Sequence, residues 1–334
     1  MIKETVLIVT QPFDFAVDHV LLALEERGVD VVRFDTAWFP CETSLTATFG
    51  SDTPDHVAKI TSNIGKSFDL TQVASIWYRR PRDFAFDEEL DPDARKFARG
   101  EALQGLGGVF RSVDCLWVNH PEKEVSATYK PFQLARAAKL GLSVPRTLVT
   151  NEPQAAREFV QQNRGSTIYK TLCLPEVTSD TYSYTALFTS RISKVDLEAI
   201  DTVRFTPCLL QEFVPKAFEV RAVVINGEMF AVGLHAPDPD ITDWRPVNEE
   251  LKYSVHQLPA EVEERLLRLV RELGLVTAAI DLVVTPEGDH VFLELNPSGQ
   301  WAWLETETGL PMTDALVRCL APFSAARAKG ASDD

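Results

Sequence analysis

The stretch AIDLVVTPEGDHVFLELNPSGQWAWLE, near the C-terminal end, constrains the fold of this chain more than any other. An apolar run through Ile280, Asp281 and Leu282, a Pro-Glu-Gly turn and a second run from Val291 to Leu295 spell a β-hairpin. Asn296, Pro297 and Ser298 then leave the sheet. Side chains alternate faces along a strand, so Glu294 and Asn296 point the same way, and strand pairing brings Asp281 beside them. Three oxygen-bearing side chains are therefore expected together at one end of a sheet. A carboxylate inside an apolar strand is expensive unless compensated, which favours a ligand role for Glu294 over a solvated hairpin end. An oxygen-only set suits a hard cation such as Mg²⁺, with phosphate oxygens and waters completing the shell.

The chain around this hairpin is long enough, at 334 residues, for two or three subdomains. Residues 1–120 alternate strands (Thr5 to Thr10, Val29 to Phe34, Gln72 to Tyr78) with helices, one with apolar spacing from Asp14 to Arg27 and another from about Glu88 to Val109. That rhythm implies an α/β unit with an open parallel sheet. A second unit is expected over 121–205, with a helix from Glu122 to Leu140, a strand from Thr147 to Thr150, a helix opened by Pro153, and strands Thr167 to Leu172 and Tyr182 to Thr189 flanking a polar loop. A third, over 206–325, turns antiparallel, with strands Leu209 to Val214, Glu219 to Ile225 and Glu228 to Leu234, the last two joined by the hairpin signal Asn226-Gly227. Helices from Ala260 to Leu273 and Pro311 to Leu320 complete it, and 326–334 read as a frayed tail. The Gly105-Leu106-Gly107-Gly108 run follows helix rather than strand and does not read as a phosphate loop.

A formal charge of −16 argues against nucleic acid and against anionic membrane as partners. No apolar run approaches a membrane span, and MIKETVLIVT enters a strand pattern without a signal-peptide layout. The five cysteines are scattered and form no C-x-x-C, as expected of reduced residues in a cytoplasmic protein.

Two lysines carry the next signal. Lys130 and Lys170 each follow a tyrosine, and Lys170 sits late in an apolar strand, where a bare ammonium needs an anion; a snorkelling surface lysine is the alternative for each. Two such cations upstream of an Mg²⁺ hairpin suit a nucleoside triphosphate. Gln211-Glu212-Phe213-Val214 can offer backbone groups to an adenine edge, and Glu219 can accept from ribose hydroxyls. Arg221 shares a strand face with Glu219; aimed at the metal it would stabilise a transferring phosphoryl group, and the alternative is a structural salt bridge. Asp243-Trp244-Arg245 sits in a long acidic loop; it reads either as a solvated excursion or as a lid in which Arg245 holds a carboxylate that Asp243 orients. The chain has no G-x-S-x-G, H-E-x-x-H or G-x-x-x-x-G-K-[ST].

In their order along the chain, these signals resemble the ATP-grasp superfamily. In detail, WYRRP (Trp77 to Pro81), WVNHP (Trp117 to Pro121), the K-x-x-Q-L pattern from Lys130 to Leu148, DWR (Asp243 to Arg245) and NPSGQWAWLE (Asn296 to Glu305) resemble the microviridin-type ribosomal-peptide maturases, the graspetide synthetases. The resemblance implies an α/β ATP-grasp fold of three subdomains with nucleotide held between two antiparallel sheets: a pre-ATP-grasp domain, a central lid domain and a C-terminal metal-site domain. It implies Lys130, Lys170, Glu212, Phe213, Val214 and Glu219 at ATP, Asp281, Glu294 and Asn296 at Mg²⁺, and Arg221 on the phosphates. It places Asp243 and Arg245 at an acceptor carboxylate, and Arg79, Arg80 and Ser298 at a peptide. The expected reaction is activation of Glu or Asp side chains of a ribosomal precursor peptide as acyl phosphates, followed by ester or amide ring closure with Ser, Thr or Lys. The peptide's leader is expected to dock near 176–199, and the protein to be a homodimer. A glycine-rich lid is missing from the pattern. A ligase of a small molecule or protein tail with the same ATP site, or an inactive ATP-grasp binding module, are the alternatives.

Overall fold

A computed structural model describes residues 3–51, 53–173, 176–178, 184–186 and 188–322. The tail at 326–334, and part of both the polar loop and the segment 176–199, lie outside the described residues. The chain opens with β1 (Thr5–Val9), α1 (Phe15–Glu25) and β2 (Val31–Phe34), then makes an antiparallel excursion, β3 (Thr43–Gly50), β4 (Thr53–Ser62) and β5 (Ser67–Asp69). It returns through β6 (Val73–Tyr78), α2 (Pro92–Arg111) and β7 (Leu116–Val118). The sheet order β2-β1-β6-β7 is parallel throughout, as the βαβ rhythm requires. All five residues of β1 are buried, which a strand covered on both faces needs. Nothing in the sequence reading anticipated β3–β5. Its Thr-rich strands carry few apolar positions, so the period-two signal is weak.

The helix expected from Glu122 to Leu140 is two helices, α3 (Pro121–Ala127) and α4 (Lys130–Lys139). Pro131 explains the break: it has no N–H to donate to the Ala127 carbonyl, as a continuous helix would require, and Tyr129 is extended at ψ 100°. The break places Lys130 in the first turn of α4.

Next come β8 (Thr147–Thr150), α5 (Pro153–Gln162), β9 (Thr167–Lys170), the paired β10 (Glu176–Thr178) and β11 (Tyr184–Ala186), β12 (Ser190–Arg191), α6 (Lys194–Glu198) and β13 (Cys208–Glu212). Strands β12-β9-β13-β8 make a four-stranded antiparallel sheet. The strand expected to reach Val214 stops at Glu212, and the chain then crosses to a second antiparallel sheet. That sheet holds β14 (Phe218–Ile225), β15 (Glu228–His235), β16 (Lys252–Val255), β17 (Thr277–Val284) and β18 (His290–Asn296), in the order β16-β15-β14-β17-β18. Asn226 and Gly227 join β14 to β15 at φ 48° and 84°, the left-handed pair that a two-residue hairpin turn demands. Helices α7 (Ala260–Glu272), α8 (Ala302–Thr308) and α9 (Met312–Leu320) complete the described residues, α8 being unforeseen.

One face of the five-stranded sheet is apolar along its length: Val220, Ala222, Val224, Ile280 and Leu282 pack on α4 and α7. The other is apolar only at one end, where Val223, Ile225 and Ala279 meet α9 in a core shared with β1, β6 and α1. The buried Ser75 hydroxyl donates to the Leu320 carbonyl at 2.7 Å, tying α9 to the N-terminal sheet. Where that cover stops, Glu219, Arg221 and Asp281 continue the same face into an open cleft.

Candidate active site

The cleft encloses about 860 Å³ between the two antiparallel sheets. That is the size of a ligand site rather than a packing defect. Ile168, Lys170, Gln211 and the crossing segment Glu212–Val214 line one wall; Glu219, Arg221, Asp281, Glu294 and Asn296 line the other. Gln11, Arg80 and Pro81 from the N-terminal unit, together with Asp243, Arg245 and Trp303, surround its mouth.

Strand register places Arg221 opposite Asp281, and Asp281 opposite Glu294. These groups sit midway along the strands, on the face of the sheet rather than at the end where they were expected. A β-bulge after Asp281 pairs Leu282 with Phe292 and leaves Leu293 as the extra residue. Phe292 and Leu295 can then both face the core while Leu293, Glu294 and Asn296 line the cleft.

Charge is compensated pair by pair. Arg221 Nη1 donates to both carboxylate oxygens of Asp281 at 2.7 Å, and Asn296 Nδ2 donates to Asp281 Oδ2 at 3.2 Å. Glu294 Oε2 lies 3.2 Å from Lys130 Nζ and 3.6 Å from Lys170 Nζ. Burial opposes ionisation of Glu294, but Lys170 and Lys130 outweigh it and hold the carboxyl well below the usual range. Burial raises the Asp281 carboxyl; Arg221 pulls it back and Glu294 adds to the rise. Buried Lys216 pairs with Glu219, whose carboxyl burial also raises.

These residues fit a hard cation. Glu294 Oε2 is buried and faces only the ammoniums of Lys130 and Lys170, and the other donors are a carboxylate and an amide. Gly299 lets the following loop approach: an added Cβ would fall 2.5 Å from Ala279 Cβ and 2.8 Å from Arg221 Nη2. That loop is held from below, Arg80 Nη2 donating to the Ser298 carbonyl at 2.8 Å and Ser298 Oγ to Glu124 Oε1 at 2.6 Å.

Three expected roles look different in place. Arg79 turns away from the cleft; its side chain is 3 % exposed, in an ion pair with fully buried Asp14, so Arg80 alone of the two reaches ligand space. Arg245 gives Nε and Nη2 to Asp243 at 2.9 and 2.7 Å, so the fork that would grip an acceptor carboxylate is already engaged. Asp243 also accepts from Thr189 N at 3.1 Å, linking this loop to the end of the lid segment, and Arg245 holds its carboxyl below the ordinary range against the opposing effect of burial. The Glu212 and Phe213 N–H groups donate to the Arg146 and Ser166 carbonyls, so neither is free for the adenine edge expected there. Gln211 reaches the cleft with Oε1 buried and unpartnered.

Sequence reasoning missed Lys216, Glu124 and Arg191. Lys216 is three residues before Glu219, a spacing that an irregular segment makes uninformative. Arg191 on β12 stands 3.7 Å over the Phe213 ring and joins the four-stranded sheet to the crossing segment.

Comparison with known proteins agrees with this geometry. Residues 5–125 match the model of the MvdD pre-ATP grasp domain. Macrocyclase MdnB from Microcystis aeruginosa MRC is 33 % identical with a TM-score of 0.78, covering 95 % of this chain and 99 % of its own. Macrocyclase MdnC from the same source, solved with precursor peptide MdnA, is 30 % identical with a TM-score of 0.83 over the same shares. A RiPP-associated ATP-grasp ligase of Chryseobacterium gregarium, in complex with ADP and a leader and core peptide, is 27 % identical with a TM-score of 0.86, covering 95 % and 96 %. Curated protein sequences give no match. The fold is ATP-grasp, and the chain belongs to the graspetide-type ATP-grasp ligases of ribosomal peptides.

Proposed function

We propose that this enzyme closes rings in a ribosomal precursor peptide at the expense of ATP. The observation that carries the reading is the meeting of Lys130, Lys170 and Glu294 with Arg221, Asp281 and Asn296 across one cleft. A carboxylate oxygen of a peptide Glu or Asp attacks the γ-phosphorus of ATP; ADP leaves and an acyl phosphate forms. A Ser or Thr hydroxyl, or a Lys amine, of the same peptide then attacks the acyl carbon. The C–O or C–N bond closes, phosphate leaves, and the nucleophile gives up its proton. The first step brings two anions together. Lys130, Lys170 and Arg221 offset that repulsion by position and charge. Mg²⁺ held by Asp281, Glu294 and Asn296 would supply further neutralisation of the phosphates. Gln211, Glu212, Phe213, Val214 and Glu219 are assigned to adenine and ribose, with Asp243, Arg245, Arg80 and Ser298 facing the peptide.

Likeness to the family supports leader docking near 176–199 and a homodimer, and the need for ATP supports a cytoplasmic location. Among the described residues no helix is long and apolar enough to cross a membrane. The test is co-production with a neighbouring precursor rich in Thr/Ser and Glu/Asp, followed by mass spectrometry. Loss of one water per ring is expected; ATP turnover with an unmodified peptide would overturn the reading.

A further inference from the structure

Strand β18 lies at the edge of its sheet, so one row of its backbone groups has no strand to pair with. Two buried side-chain amides fill that gap on either side of Asn296. Gln133, 2 % exposed, receives the Leu295 N–H at 2.9 Å on Oε1 and donates Nε2 to the Leu295 carbonyl at 2.7 Å. Its Nε2 also donates to the Ala127 carbonyl at 2.6 Å, fastening the end of α3. Asn119, 1 % exposed, donates Nδ2 to the Pro297 carbonyl at 3.3 Å and to the Thr277 carbonyl at 2.9 Å, while its Oδ1 accepts from Val276 and Thr277 N–H at 2.7 and 3.0 Å. One amide thus holds the residue before Asn296 and the other the residue after it. Lys130, one turn before Gln133 on the same face of α4, meets Glu294. The break at Pro131 sets that helix so that consecutive residues of β18 are gripped by consecutive turns.

We propose that Gln133 and Asn119 are positioning residues: they hold the backbone flanking Asn296, and so keep the oxygens of Glu294 and Asn296 at the separation a hard cation requires. The proposal rests on the functional reading above. Ser143 bridges the same edge further back, its carbonyl accepting from Phe292 N–H at 2.8 Å, so loss of Gln133 frays the end of β18, and Asn296 would swing away from Asp281. Groups that orient ligands from behind typically matter about 10- to 100-fold in metal affinity. Asn119 carries a second load, because the start of β17 hangs on it, whereas Gln133 acts on β18 and α3.

The experiment is calorimetric titration of ADP into the full chain, with and without Mg²⁺, for the wild type and Gln133→Met. The side chain of Met fills similar volume and offers no amide. In the wild type, Mg²⁺ is expected to tighten ADP binding. In Q133M, metal-free ADP affinity should stay within about 2-fold, while the tightening by Mg²⁺ falls about 10- to 100-fold. Equal loss with and without metal would make Gln133 a merely structural residue and overturn the proposal, as would an unchanged Mg²⁺ effect. If Q133M does not fold, Asn119→Asp takes its place. It keeps the acceptor for Val276 and Thr277 N–H and loses the donations to Pro297, to the Thr277 carbonyl and to Glu124, and an intact Mg²⁺ effect there overturns the proposal equally. A wild type whose ADP binding ignores Mg²⁺ would instead fail the underlying functional reading, so the two failures are distinguishable.

Discussion

Arg221 and Asp281 face each other at one register position of neighbouring antiparallel strands, and a single Nη1 donates to both carboxylate oxygens at 2.7 Å. Their side chains are 9 % and 15 % exposed. Removing one member of so buried a pair strands the other charge, which typically costs about 3–5 kcal/mol, whereas replacing both is far milder. Asp281→Ala is therefore expected to lose activity and about 3 kcal/mol of stability, and Arg221→Met/Asp281→Leu to recover most of that stability while staying inactive. Urea unfolding of the three proteins checks this. A double variant no more stable than Asp281→Ala would show that the pair is not compensating buried charge.

The Lys216–Glu219 pair makes a similar claim about nucleotide binding. If Glu219 takes the ribose role proposed for it, it depends on Lys216, because burial pushes its carboxyl toward the neutral form and Lys216 opposes that. Lys216→Met and Glu219→Gln should each weaken ADP binding, and the double variant should lose less than their sum. The expected coupling is about 1 kcal/mol, within the range for contacting residues. Additive losses in a calorimetric double-mutant cycle would separate the two residues.

The hairpin was legible, and alternation places Glu294 and Asn296 on one face, but Asp281 joins them only through the bulge, which pairs it with Glu294 instead of Leu293. The bulge at Leu293 was not, since apolar residues at 292, 293 and 295 fit a straight strand as well as a bulged one. Parallel β1 and the Asn226-Gly227 turn announce themselves by composition; β3–β5, with few apolar positions, do not. Pro131 was a visible breaker inside an expected helix, and its consequence, the aim of Lys130 at Glu294, needed the fold. The roles of Asn119 and Gln133 depend on partners more than 150 residues away, which no local pattern encodes. Arg79 and Arg80 look alike in sequence, and only the alternation of β6 and the buried Asp14 separate the structural one from the one at the cleft.

Arg245 tests the acceptor side of the cleft. Its guanidinium pairs directly with Asp243, and it acts on Glu294 and Asp281 only through longer-range attraction. Arg245→Ala is expected to leave ADP affinity within about 2-fold of wild type and to lower ring closure at least about 100-fold, the scale of one lost electrostatic contact in a transition state. Calorimetry and peptide mass spectrometry on the same preparation decide it. Equal losses in both would move Arg245 to the nucleotide.

Glu124 contributes a pH dependence to stability. Burial lifts its carboxyl to about 7, against the pull of Ser298 and Asn119 hydrogen bonds and of Arg79 and Arg80. The unfolded chain ionises this group at about 4.3, so between that pH and about 7 the unfolded state holds fewer protons than the folded one. Stability from this group therefore falls as pH rises through that window and stays low above it. Glu124→Gln keeps an acceptor for Ser298 and removes the titration. Its stability relative to wild type should be flat below pH ~4, rise across the window, and level off at about 2 kcal/mol by pH ~8, after allowance for solvent screening. Denaturant unfolding at pH ~4, ~6 and ~8 measures the difference. A difference that does not change with pH would mean that Glu124 ionises as freely in the folded protein as in the unfolded chain.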